Sequence, residues 1–194
     1  MTVIAGRSAE RRAYEDANKY RLDLRRDNLQ RADLVRVDLA KADLREAQLE
    51  GADLRYAEME GADLRYATME GANLREAKIE GANLHHATME GADLIGARMK
   101  RANLRSATMK GAKLAFCNFD SANASIADFT ASEGLEPDQL DRCFGCAGTK
   151  LPDGLSRPDH WHPTALHDLK EHSEAYQAWL TERQAKRLPP FDEV

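Results

Sequence analysis

The 194-residue chain predicts an all-β solenoid, and three observations carry that reading. A bulky apolar residue returns at every fifth position from Leu24 to Phe129, through Leu54, Met69, Ile79, Leu104 and Phe119, with Ala124 as the one exception. Two positions earlier stands a small residue, nearly always alanine, from Ala32 and Ala42 to Ala127, with Cys117 as a variant. Neither a helix nor a plain strand puts one residue in five on a common face, whereas short straight sides joined by corners do. A unit this short cannot bury its own apolar face and must stack on its neighbours. The expected core is therefore a set of narrow columns of Leu, Met and Ala, with no room for a substrate cavity.

The elements follow in order. Residues 1–21 precede the repeat; Ser8 is placed to cap a short helix running through Arg11, Tyr14 and Ala17. That segment is expected to cover the first turn of the solenoid, because a bare stack of strands invites aggregation. Residues 22–131 carry the repeat, and a ten-residue period lies inside it. Centres ending in 4 stay Leu up to Leu114, while those ending in 9 change to Met59, Met69, Ile79, Met89, Met99 and Met109. Glycine opens only the first kind of unit, at Gly51, Gly61, Gly71, Gly81, Gly91 and Gly111, and predicts corners that need a positive φ. Asp or Asn before those centres (Asp53, Asp63, Asn73, Asn83) is expected to hydrogen-bond nearby backbone at the corner.

Segments such as Ala52-Asp53-Leu54-Arg55-Tyr56 and Ala102-Asn103-Leu104-Arg105-Ser106 resemble the A-(D/N)-L-x-x unit of pentapeptide-repeat proteins, over about 110 residues in 22 consecutive units. The resemblance implies a right-handed quadrilateral β-helix with one repeat per side and 20 residues per coil. At roughly 4.8 Å per coil the rod would be on the order of 26 Å long. The family is functionally diverse, so its fold says little about activity.

Residues 132–163, from Gly134-Leu135-Glu136-Pro137 to Pro158-Asp159-His160-Trp161, resemble a tail found after many bacterial solenoids of this kind. They are expected to plug the last coil through Leu135, Leu140, Phe144, Leu151 and Trp161. Residues 164–187 read as a helix from about Thr164 to Lys186, with Leu166, Leu169, Tyr176 and Leu180 on one face and Trp179 beside it. Docking on its own solenoid and self-association as a homodimer are both open for that helix.

Composition bounds the function. Charged residues make up 31% of the chain, no apolar run is long enough to span a membrane, and no secretory signal is visible at the N-terminus, so a cytoplasmic protein is expected. Three cysteines do not make a disulfide framework. The net charge of −5 argues against direct nucleic-acid binding. Along the rod the charge is uneven. Eleven acids face four bases between Glu46 and Asp93, and six bases face no acid between Leu94 and Phe119.

Three sets of residues could carry function. Cys143-Phe144-Gly145-Cys146 followed by His160 and His162 is a weak candidate for a zinc site; the spacing is atypical, and His160 belongs to the tail signature. By the same resemblance an acidic residue is expected where Cys146 stands. Tyr66 and His86 share one outward column, with Tyr56, Ile95 and Phe116 across the square, a pattern typical of binding anchors. The tail helix adds Leu166, Leu169, Tyr176, Trp179 and Leu180. No nucleophile or acid–base set is evident, and no cofactor is implied. The expected function is a non-enzymatic protein-interaction module. One alternative is a DNA mimic that binds a type II topoisomerase such as DNA gyrase, as some family members do. The other is a metal-binding or sensor role for the Cys/His tail.

Overall fold

The structure, a computed structural model, describes residues 21–185. The N-terminal cap expected around Ser8, and the last two residues of the 164–187 segment, lie outside the described residues. From Asp23 to Glu133 the residue before each centre pairs in parallel with the residue 20 positions on: Asp23 with Asp43, Gln48 with Thr68, Lys113 with Glu133. Four five-residue sides therefore make one coil. The N–H before each centre donates to the previous coil (Asp43 N to Leu22 O, 2.8 Å), and three more backbone bonds hold each repeat. The centre N–H donates to the next coil (Leu24 N to Asp43 O, 2.8 Å), and so does the corner N–H (Arg26 N to Arg45 O, 3.0 Å). The third closes the corner within the coil (Ala32 N to Leu29 O, 3.1 Å).

Every corner carries a positive φ, not only those with glycine. Gly51 and Gly71 sit at 64°, but Tyr56 is at 59°, Tyr66 at 60°, Glu76 at 57°, His86 at 59°, Phe116 at 60° and Ile126 at 60°. The ten-residue alternation is thus one of side chains on a common backbone, and glycine marks only seven of the 22 corners from Arg26 to Ala131, one of them, Gly96, in the other kind of unit. Asx turns reinforce the corners as expected: Asp53 Oδ1 accepts from Arg55 N and Asn83 Oδ1 from His85 N.

The core is dry. Each centre and each preceding alanine from Leu39 to Leu114 is at most 1% exposed. A leucine in such a column stabilises by about 1.5–3 kcal/mol relative to exposure. At the top of the rod Phe119 and Phe129 meet edge to face, 6.1 Å apart, and take up the width that Ala124 leaves.

The tail then closes the stack. A short helix, α1 (Pro137–Asp141), begins with a reciprocal Glu136–Gln139 capping box. Gln139 Nε2 also donates to the carbonyls of Leu114 and Cys117. Leu135, Leu140, Cys143 and Trp161 join the main core, with Leu151 and Leu155 partly buried against it. Phe144 corrects the expectation for the plug. The pairing slips to 21 residues at Asn123–Phe144, which puts Cys143 in the inward alanine place and Phe144 in the outward one. The centre place falls to Gly145, and the Trp161 indole fills it; a Cβ there would lie 2.4 Å from the ring.

The long tail helix, α2, runs Leu169–Ala185, starting five residues later than the sequence suggests. Asp168 caps it through Lys170 N and Glu171 N. Leu166 is buried in the lead-in rather than on the helix, and Leu169 stands 68% exposed. The face that docks on the rod is His172, Ala175, Tyr176 and Trp179, ending in Arg183. Phe144, Cys146 and Leu166 form the floor beneath it.

Candidate interaction surface

The side chains singled out in the sequence fall into three places. Tyr66 and His86 occupy one corner in successive coils, and their rings stack at 5.2 Å with 14° between planes. His85 meets His86 edge on at 4.2 Å. Tyr66 is 54% exposed, because an αL corner throws the side chain outward from the rod. Across the square Tyr56 and Phe116 share the opposite corner, three coils apart. Arg36 lies 5.4 Å above the Tyr56 ring, whereas Phe116 is 87% exposed. Ile95 sits half-buried on the same face, beside Gly96.

The Cys/His set does not converge. Cys143 Sγ faces Leu140 O, Cys146 Sγ lies near Thr149, His160 Nε2 lies against Cys143 O, and His162 turns to Thr164. Among the described residues, no three His, Cys, Asp or Glu side chains are placed to hold a metal ion together. Burial pushes the thiols of Cys143 and Cys117 up to about 12, the direction of inert core cysteines. A shallow depression of about 430 Å³ at the first coil is lined by Asp23, Arg25, Arg26, Arg45 and Glu46, with no nucleophile among them.

The charge belts are stitched together locally. Asp43, Asp53 and Asp63 each hold the arginine two residues on, at 2.6–2.7 Å. Lys78 pairs with Glu58, and Arg98 of the basic coil reaches Glu80 of the acidic one. Such half-exposed pairs contribute at most about 1 kcal/mol each. On the glycine side Thr68 donates to Glu50 and Thr88 to Glu70, so the glutamate column is held by the hydroxyls of the next coil.

A polar seat under α2 was invisible to sequence reasoning. Arg105, 8% exposed, donates from Nη1 toward His85 Nε2 (2.9 Å) and from Nη2 to His167 O (3.2 Å). His172, 7% exposed, meets the Asn123 amide at 3.1–3.2 Å. Tyr176 OH donates to Ser121 O, and Arg183 pairs with Asp120. Burial first, then the charges of His86 and Arg105, lowers His85 to about 4. Burial and Arg105 lower His172 as well. The one available signal was the change from Asp63 to Asn83, Asn103 and Asn123 down one face. What docks there comes from some 50 residues further along the chain and leaves no periodic trace.

The description "pentapeptide repeats" fits eight copies, over residues 23–55, 32–71, 42–81, 57–96 and 97–132. No curated protein matches the chain. Among solved structures it is similar to alr5209, a pentapeptide repeat protein from Nostoc PCC 7120, with 30% identity over 56% of this chain and 84% of that one, at a TM-score of 0.44. It is also similar to HetL of Nostoc sp. strain PCC 7120, a pentapeptide repeat protein involved in heterocyst differentiation regulation. There identity is 31% over 72% of this chain and 65% of that one, at a TM-score of 0.36. Trypsin-treated QnrB1, a plasmid-mediated fluoroquinolone resistance protein, matches at 23% identity over 81% of this chain and 71% of that one, at a TM-score of 0.38. No helix among the described residues is long and apolar enough to cross a membrane.

Proposed function

We propose that this chain, which belongs to the pentapeptide-repeat family, is a non-enzymatic protein-interaction module that presents aromatic anchors on the corners of a rigid four-sided rod. One observation carries the reading. Tyr56, Tyr66, His86 and Phe116 all stand at left-handed corners, the conformation that only glycine adopts without strain, and they remain exposed. A non-glycine residue in that conformation costs about 1–2 kcal/mol. Phe116 returns nothing to the fold, being 87% exposed. Strain accepted without an internal contact is the mark of a side chain kept for something outside the molecule.

Affinity capture from the native host with the wild-type chain and with Phe116→Gly, Tyr56→Gly and Tyr66→Gly variants tests this. The variants should melt at the same temperature or higher and lose a protein that the wild type retains. Identical capture by all four chains refutes the anchors. A homodimer through α2 has Leu169 in its favour, 68% exposed at the start of the helix. Leu169→Glu should then halve the mass seen by light scattering. The topoisomerase-mimic reading has the Glu50, Glu70 and Glu90 column in its favour; Lys110 at the head of that column and the pairing of Arg98 with Glu80 weigh against it.

A further inference from the structure

The face that receives α2 changes character halfway up the rod. In the lower coils each arginine on that face has its own carboxylate: Asp23 for Arg25, Asp43 for Arg45, Asp63 for Arg65, at 2.6–2.7 Å. In the upper coils the same places are Asn83, Asn103 and Asn123, and the outward residues beside them are His85, His86, Arg105, Ser106, Ser125 and Ile126. The three asparagines form a ladder, Asn123 Nδ2 to Asn103 Oδ1 and Asn103 Nδ2 to Asn83 Oδ1, and His172 of the helix ends it. Beside the ladder lies Arg105, nearly buried. It has only an imidazole and a carbonyl as acceptors, and its Nε has none.

We propose that α2 is an acid-released latch: protonation of His172, together with His85, places two imidazolium charges against Arg105 and lifts the helix off the rod. There the rod offers Asn83, Asn103 and Asn123 in place of a carboxylate, the seat's Asp120 being paired with Arg183 at the other end of the helix. The neighbours of His172 offer no relief. Its own helix contributes Tyr176, stacked at 6.4 Å, and the carboxylates of Asp168 and Glu171; Asp168 is spent on the helix N-terminal amides. The rod contributes Asn123, Arg105 and His85; the tail contributes the Phe144 ring, edge on at 6.2 Å. His172 also stands in the first turn of the helix, where the backbone dipole opposes a positive charge. Around His85 stand His86, Arg65, Tyr66, Asn83 and Arg105; Asp63, one coil down, is taken by Arg65.

The sign follows from these surroundings. Both imidazoles bind a proton less readily when the helix is docked than when it is free. Docking is therefore complete above the free value of about 6.5 and weakens as pH falls through it. Release would uncover Phe144, Ile126, Leu166 and the inner edge of Trp179, an apolar patch shut at neutral pH.

Hydrogen exchange on the full chain at pH 7.5 and 5.0, corrected for intrinsic rates, tests the latch. Protection of amides 169–185 should fall at least tenfold at pH 5.0 while the coil amides and the far-ultraviolet β spectrum hold. Asn123→Asp restores a carboxylate against His172 and should keep the helix protected at pH 5.0. His172→Gln should be protected equally at both values. Helix protection that is unchanged in the wild type overturns the latch. So does a pH response that survives in both variants. If His172→Gln is undocked throughout, Asn123→Asp alone decides: the same release as wild type overturns the proposal.

Discussion

The coils below Leu114 and the closure above it bury the same kind of column by opposite means. In the coils each core side chain is supplied by its own repeat, so Leu54, Leu74 and Leu94 stack at fixed intervals and each position can be read from its five-residue frame. In the closure the core is assembled from a distance. Gly145 gives up the centre place and Trp161 fills it; Trp161 Nε1 donates to Cys143 O at 3.1 Å to hold the indole there. Repetition makes the rod tolerant of its surface. The closure has one solution and few substitutes.

The largest expected effect lies in the rod. Leu84 is fully buried between the same columns above and below. Leu84→Asp places a carboxylate in a dry column with no partner, at a cost of about 5 kcal/mol or more, comparable with the whole stability of a domain. Loss of the cooperative thermal transition is expected. A melt within a few degrees of wild type would remove the idea that each coil depends on its own centre.

The closure is broken by adding, not removing, atoms. Gly145→Ala puts a methyl 2.4 Å from the Trp161 ring, and the ring has no free side to move to while its Nε1–H holds Cys143 O. A cost of about 1–3 kcal/mol is expected, the usual range for overpacking. The near-ultraviolet signal of Trp161 should weaken while the coils stay intact. An unchanged signal would mean that the closure repacks as freely as the surface.

This contrast also explains what was legible. The stacked solenoid and the inward Leu and Ala follow from the five-residue spacing, the Asp and Asn positions point to the Asx corners, and the four sides follow from the resemblance to pentapeptide repeats. All are repeated coil by coil, since the bridges of the rod join residues 20 apart. Phe144 was misplaced because the pairing slips to 21 residues at that point, and nothing local marks the slip. The aromatic corner of Tyr66 and His86 was visible as a column. The docked face of α2 was not: its anchors are His172, Tyr176 and Arg183, which bind through hydrogen bonds to Asn123, Ser121 and Asp120 rather than through a leucine stripe. Leu169, the residue that best fitted an apolar face, points to solvent.

The smallest effects separate two glutamates on the same rod. Glu60 is held above the ordinary carboxyl range by burial first, then by the charges of Glu80 and Glu58, with Lys78 pulling the other way. Glu46 is held below it, chiefly by its hydrogen bonds to Arg26 at 2.8 and 3.1 Å. The signs are opposite. A raised carboxyl means that the folded chain keeps a proton the unfolded chain has lost. Stability at Glu60 therefore falls as pH rises above the unfolded value of about 4.3, and stays lower at neutral pH. A lowered carboxyl contributes stability that is present above that value and lost as pH falls through the folded one. Glu60→Gln should accordingly raise the melting temperature at pH 7.5, and the gain should vanish near pH 4. Glu46→Gln should lower the melting temperature at pH 7.5, with the loss shrinking on acidification. Raised salt should erode the Glu46 effect more than the burial-driven part of the Glu60 effect, because Glu46 and Arg26 meet in solvent. If both variants shift the melt in the same direction at pH 7.5, the surface of the rod is uniform, and the difference between its columns is confined to the seat of α2.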